Sequence, residues 1–136
     1  MSKKRILVPI DGTERSMHSL SFVKNTYSNK DVELLIMNVK ELVFINGMVV
    51  SNELENAKLI GERILNEAVK KIEGYDLKTY FTFGYPADEI VRKAKEDNID
   101  LIVMTKSTKK GLTRMIGSVT VSVVKHAKCT VVIVPE

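Results

Sequence analysis

Leu101-Ile102-Val103-Met104 and Val131-Val132-Ile133-Val134 are unbroken apolar runs, and they decide the fold. A strand with one wet face alternates polar and apolar residues, whereas a continuous run suits a strand covered on both faces, as in parallel sheets. Working outward, Arg5–Pro9, Val32–Val39 and Lys78–Phe83 are further short segments rich in β-branched residues. Stretches with helical spacing separate these five segments. Leu20, Val23 and Tyr27 share a face in the first, and Leu54, Ala57, Gly61, Ile64, Ala68 and Ile72 in the second. Ala87, Ile90, Val91 and Ala94 mark the third, and Ile116, Val119, Thr120, Val123 and Ala127 the fourth. Pro86 suits a first helical residue with Asp88 and Glu89 behind it, and Gly74 suits a stop after the second helix. Strict alternation of strand and helix, joined by right-handed crossovers, places helices on both faces of a parallel sheet.

The 136 residues suit one domain, 1–136, with no linker, repeat or low-complexity tract. Apolar content of 44% and charged content of 28% are globular values. No run is long enough to cross a membrane, and the short apolar run after the basic start is broken by Asp11, so a signal peptide is not expected. The expected location is the cytoplasm. Cys129 is the one cysteine, which excludes an internal disulfide and a cysteine-cluster metal site; at the threshold of an apolar run it reads as a buried, inert thiol. The net charge of +4 is mild, and the basic residues gather only around Lys106, Lys109, Lys110 and Arg114, a group that suits phosphate or a solvated surface loop.

In an open parallel sheet, ligands collect beyond the carboxyl ends of the strands. Asp11, directly after the first strand, is an acceptor suited to a ribose hydroxyl, to capping the first helix or to bracing the adjoining loop. Gly117-Ser118 opens the last helix, where backbone N–H groups favour an anion; Ser118 suits either a phosphate or a helix cap. Gly84 allows close backbone approach after the third strand. The apolar stretch Leu42–Val50 is expected to be a flap on the core, a lid over the cleft or a patch for a partner.

Lys4-Arg-Ile-Leu-Val-Pro-Ile-Asp-Gly-Thr-Glu-Arg-Ser16, Gly84-Tyr-Pro-Ala-Asp-Glu-Ile90, Leu101–Met104 and the stretch from Gly117 to Val134 occur in the order found in the universal stress protein family, which the chain resembles over nearly its whole length. The resemblance implies a three-layer α/β/α, Rossmann-like domain with a five-stranded parallel sheet in the order 3-2-1-4-5. It implies Pro9 and Ile10 beside an adenine base, Asp11 at base or ribose, backbone contacts from Val39, Gly84 at the cleft floor, and Gly117, Ser118 and Val119 at phosphates. It also implies a homodimer through the last strand, Val131–Val134. ATP-binding members carry Gly-x2-Gly-x9-Gly-Ser/Thr after the fourth strand, and only Gly117-Ser118 survives here. Thr105 and Thr108 stand where the first glycines are expected when the strand ends are aligned, and Ser107 when the last glycine sets the register. Those loop glycines admit phosphate to the backbone amides without a Cβ in the way, so ATP or AMP, with magnesium if ATP is bound, is expected to bind weakly or not at all.

The expectation is therefore a stress-response binding protein, with an unidentified protein partner left open. The alternative is slow ATP hydrolysis or phosphate transfer, with Asp11 holding magnesium through water and Ser118 at the γ-phosphate. No Ser-His-Asp arrangement or paired-histidine metal spacing appears; His18 is expected on the exposed face of the first helix and His126 packing or capping near the end of the last. A phosphoacceptor domain lacks its aspartate after the third strand and lysine after the fifth, and a dinucleotide site lacks Gly-x-Gly-x-x-Gly. Nucleic-acid binding has only the basic loop behind it.

Overall fold

Ile6, Leu7 and Val8 of strand β1 (Lys4–Pro9) are all fully buried, yet they face different layers. Ile6 and Val8 pack with one hydrophobic cluster and Leu7 with another, which is why the strand is apolar without alternation. The computed structural model describes residues 3–41, 44–49, 51–106 and 116–135. Among these, β1 leads through a short 3-10 turn at Arg15–Met17 into α1 (His18–Thr26), then β2 (Val32–Lys40), β3 (Phe44–Ile45), β4 (Met48–Val49) and α2 (Ser51–Lys71). There follow β5 (Asp76–Phe83), α3 (Pro86–Glu96), β6 (Leu101–Thr105), α4 (Ser118–His126) and β7 (Thr130–Val134).

The main sheet has five strands in the order β5-β2-β1-β6-β7, all parallel. Counting only its strands, this is the expected order 3-2-1-4-5. Helices α1 and α2 cover the face of Ile6, Val8, Ile36 and Val103; α3 and α4 cover the face of Leu7, Met37, Ile102 and Met104. Each of these fully buried aliphatic side chains contributes about 1.5–3 kcal/mol of transfer free energy.

The expected helix faces are largely as read. Leu20 and Val23 of α1, Gly61, Ala68 and Ile72 of the second helical stretch, Ile90 and Ala94 of α3, and Thr120 and Val123 of α4 are buried. Leu65 joins them, a core residue that the spacing missed because its neighbour Ile64 also fits the period. Ile116 departs from the reading: it precedes α4 and is 53% exposed, since the helix starts only at Ser118. β5 starts at Asp76 rather than Lys78, because Asp76 and Leu77 pair with Glu33 and Leu34 of β2. Pro86 occupies the first turn of α3 as expected, with Asp88 and Glu89 beside it.

Within the Leu42–Val50 stretch, β3 and β4 form a separate antiparallel hairpin whose turn, Asn46-Gly47, has positive φ at both positions (52° and 77°). That is the turn chemistry Asn-Gly favours. Leu42, Val43 and Val50 lie outside the described residues, as do Ser107, Thr108, Lys109, Lys110 and Arg114.

Candidate functional site

The carboxyl ends of β1, β2, β5 and β6 form one rim, and the expected site residues stand along it. Pro9 ends β1, Val39 lies one residue from the end of β2, Gly84 follows β5 and Thr105 ends β6. The start of α4 is tied to the same edge: the Gly117 N–H donates to the Lys106 carbonyl (2.9 Å), and the Thr120 hydroxyl donates to the Thr105 carbonyl (3.0 Å).

Beyond β1 the chain makes a tight polar turn. The Thr13 N–H and hydroxyl both donate to Asp11 Oδ1 (2.9 and 2.6 Å), and the Ser16 hydroxyl donates to the Thr13 carbonyl (2.8 Å). Asp11 thus braces its own loop while its side chain stays exposed. This is the loop-bracing reading of Asp11; it does not cap the first helix, since the N-cap positions of the 3-10 turn and α1 are Glu14 and Met17 and neither start has a side-chain cap. Gly12 is required in the turn, since its φ is +89° and a Cβ would stand 2.8 Å from Ile64 Cδ1 of α2.

Asn38, which the sequence did not single out as a site residue, and Gly61, read there only as part of a helix face, support this turn. Asn38 is 5% exposed near the end of β2, and its side-chain amide donates to the Ile10 carbonyl (2.9 Å), one residue before Asp11. Its signal was a lone polar residue inside the apolar run of β2. Gly61 of α2 lies against Asn38 Oδ1 and the Phe81 ring, and a Cβ there would overlap the ring. A glycine inside a long helix is the sequence sign of such a close approach.

The side chain of Ile10 is 4% exposed and packed with the α1–α2 core rather than facing the rim as expected, and its N–H and carbonyl are bonded to the Met37 carbonyl (2.8 Å) and the Asn38 amide (2.9 Å). Thr105 is likewise buried. Val39 is half-buried and packs against the core on the α3–α4 side. Gly84 has φ +147°, its N–H donates to the Lys40 carbonyl (3.0 Å), and a Cβ would crowd Glu89 at 2.8 Å. Ser118 is exposed in the first turn of α4, ahead of the first helical bond, from the Val121 N–H to the Gly117 carbonyl (3.0 Å). The N–H groups of Ser118 and Val119 belong to the first turn, at the positive end of the helix.

His18 is exposed, as expected. His126 caps: its Nδ1 lies 2.9 Å from the Ser122 carbonyl, which can only accept, so Nδ1 carries the proton. The Cys129 thiol is half-buried, and burial pushes its pKa up, which suppresses the reactive thiolate. Among the described residues, no cluster of His, Cys, Asp and Glu suits a metal ion, and no helix is long and apolar enough to cross a membrane.

A concavity of about 330 Å³ lies at the opposite end of the sheet, between β1, β2, β5 and the end of α3. Most of its charged lining pairs internally: Arg5 with Glu33 (2.6 Å), Lys3 with Asp76 (3.7 Å), Arg92 with Glu96 (2.8 Å) and Lys93 with Asp97 (3.3 Å). These are largely exposed pairs, each contributing about 0–1 kcal/mol. The rim, with the positive end of α4 and the exposed Asp11 carboxylate, is the better-equipped end for a polar ligand.

The family model described as "Universal stress protein family" matches residues 3–135. Universal stress protein MJ0531 of Methanocaldococcus jannaschii is 31% identical over 98% of this chain and 82% of its own length. The solved structure of the hypothetical protein MJ0577 is 26% identical with a TM-score of 0.81, covering 98% of this chain and 96% of that one. The universal stress protein from Archaeoglobus fulgidus, solved in complex with dAMP, has a TM-score of 0.69 at 22% identity over 98% of each chain. With the five-stranded order and the motifs of the rim, these matches settle the relationship: the chain belongs to the universal stress protein family.

Proposed function

We propose that this protein is a cytoplasmic, homodimeric stress-response protein that binds an adenine nucleotide along the carboxyl rim of its sheet. The observation that carries the reading is convergence. An exposed carboxylate at Asp11, the end of β2 at Val39, the backbone approach at Gly84 and the open helix terminus at Ser118 share one edge. That set matches the parts of a nucleotide in order, with phosphate at the positive end of α4, ribose hydroxyls at Asp11 and base at Val39. A chain of the same fold is described in complex with dAMP.

Loss of the first two glycines of the signature favours a monophosphate over a triphosphate. Calorimetric titration should show AMP binding and ATP, with or without magnesium, binding no more tightly. Absence of heat with either nucleotide at millimolar concentration defeats the reading. Ser118→Ala should weaken AMP about fivefold if its hydroxyl donates to phosphate.

The dimer reading rests on β7, which ends the sheet and bonds only to β6 within the chain's sheet order. The Lys106 N–H donates to the Val134 carbonyl, so Val134, Val132 and Thr130 turn their backbone groups toward β6. Val131 and Ile133 therefore turn theirs outward, where a second strand can add. Val131→Pro removes one outward N–H without touching the β6 ladder. It should shift sedimentation from dimer to monomer while leaving the circular-dichroism spectrum intact; a dimer that survives places the interface elsewhere.

A further inference from the structure

We propose that Tyr85 is a base-stacking residue that closes the outer end of the nucleotide cleft, an inference that rests on the adenine-nucleotide reading above. The chain has four tyrosines, and three are engaged in its own structure. Tyr27 and Tyr75 pack against the α1–α2 core, where the Tyr75 hydroxyl donates to the Tyr27 carbonyl (2.6 Å). Tyr80 lies under the Lys93 ammonium, 4.2 Å from the ring centre. Tyr85 leaves 71% of its surface exposed.

Its backbone, by contrast, is held on both sides. Gly84 is bonded to the Lys40 carbonyl at the end of β2, Pro86 is locked into the first turn of α3, and the Tyr85 carbonyl accepts from the Glu89 N–H (3.0 Å). An anchored backbone carrying an exposed aromatic ring is a pre-organised stacking platform, since little backbone entropy is lost when a ligand meets it.

Position gives the ring its ligand. Along the rim the strands run β6, β1, β2, β5, and their carboxyl ends and following segments carry Ser118, Asp11, Val39 and Tyr85 in that order. With strands about 4.8 Å apart, the row spans roughly 14 Å. A nucleotide with its phosphate at the start of α4 and its ribose at Asp11 extends its base past β2 toward Tyr85. The ligand class is a purine nucleoside monophosphate, and the ring recognises the flat base rather than the sugar or phosphate.

Titration of AMP into the wild type, Tyr85→Ala and Tyr85→Phe tests this directly. Tyr85→Ala should weaken AMP about tenfold, and Tyr85→Phe, which keeps the π face, by less than twofold. The chain has no tryptophan, so Tyr85→Trp supplies a single fluorophore whose emission should be quenched by AMP and unaffected by ribose 5-phosphate, which lacks the base. Wild-type binding of AMP with unchanged affinity in Tyr85→Ala overturns the stacking role and leaves the cleft reading standing. A wild type that fails to bind AMP overturns both.

Discussion

Asn38→Asp is expected to lower stability by about 3 kcal/mol at neutral pH, with the deficit against wild type shrinking as pH falls. The substitution keeps the shape of the side chain, so no cavity complicates the result. What it changes is the bond to the Ile10 carbonyl: a buried amide donor becomes a buried acceptor facing another acceptor. Burial and that repulsion both favour the protonated acid, raising the pKa of the new carboxyl in the folded state above its unfolded value near 3.9. The sign follows from proton binding. A group whose folded pKa is raised destabilises fully above that pKa, and the loss is recovered as pH falls through it toward the unfolded value. Urea titrations of both proteins between pH 4 and about 8 check this. A constant difference across that range would show that the Asn38 amide is not bonded in a dry site. Because Asn38 holds the residue before Asp11, AMP affinity should fall along with stability, whereas Asn38→Gln, which retains a donor, should be the milder change.

The second large effect reverses an ordinary rule. Gly→Ala in an exposed helix interior stabilises by about 1 kcal/mol. Gly61→Ala in α2 should instead destabilise by about 2 kcal/mol, since the added Cβ would overlap the Phe81 ring and stand 3.0 Å from Asn38 Oδ1. Phe81 is packed against Phe83, ring centres 5.1 Å apart and nearly perpendicular, so a shift of its ring disturbs that contact. Either the ring moves or α2 lifts from β2 and β5. The denaturation midpoint should drop with the m-value unchanged; a higher midpoint would mean that α2 sits farther from the sheet than the geometry shows.

Sequence alone determined the layered plan. Burial on both faces leaves an unmistakable mark in β1, β6 and β7, because a strand between two helix layers has no polar side to show. Helix spacing, Pro86 and Gly84 placed the connections, and the parallel rule then located the rim at Asp11, Val39 and Ser118 before any contact was known. These signals are local: each depends on the periodicity or backbone demand of a few consecutive residues.

The tertiary structure alone decided what that rim can hold. Asn38 meets Ile10 across 28 residues, Gly61 meets Phe81 from a different layer, and Gly84, the residue before the exposed Tyr85, is bonded to the Lys40 carbonyl. The charges at the far end of the sheet read as separate surface residues until the fold pairs Arg5 with Glu33 and Lys93 with Asp97. Periodicity encodes which face of an element is buried, but not which residue of another element it meets, and that distance-dependent pairing sets which polar groups gather along the rim.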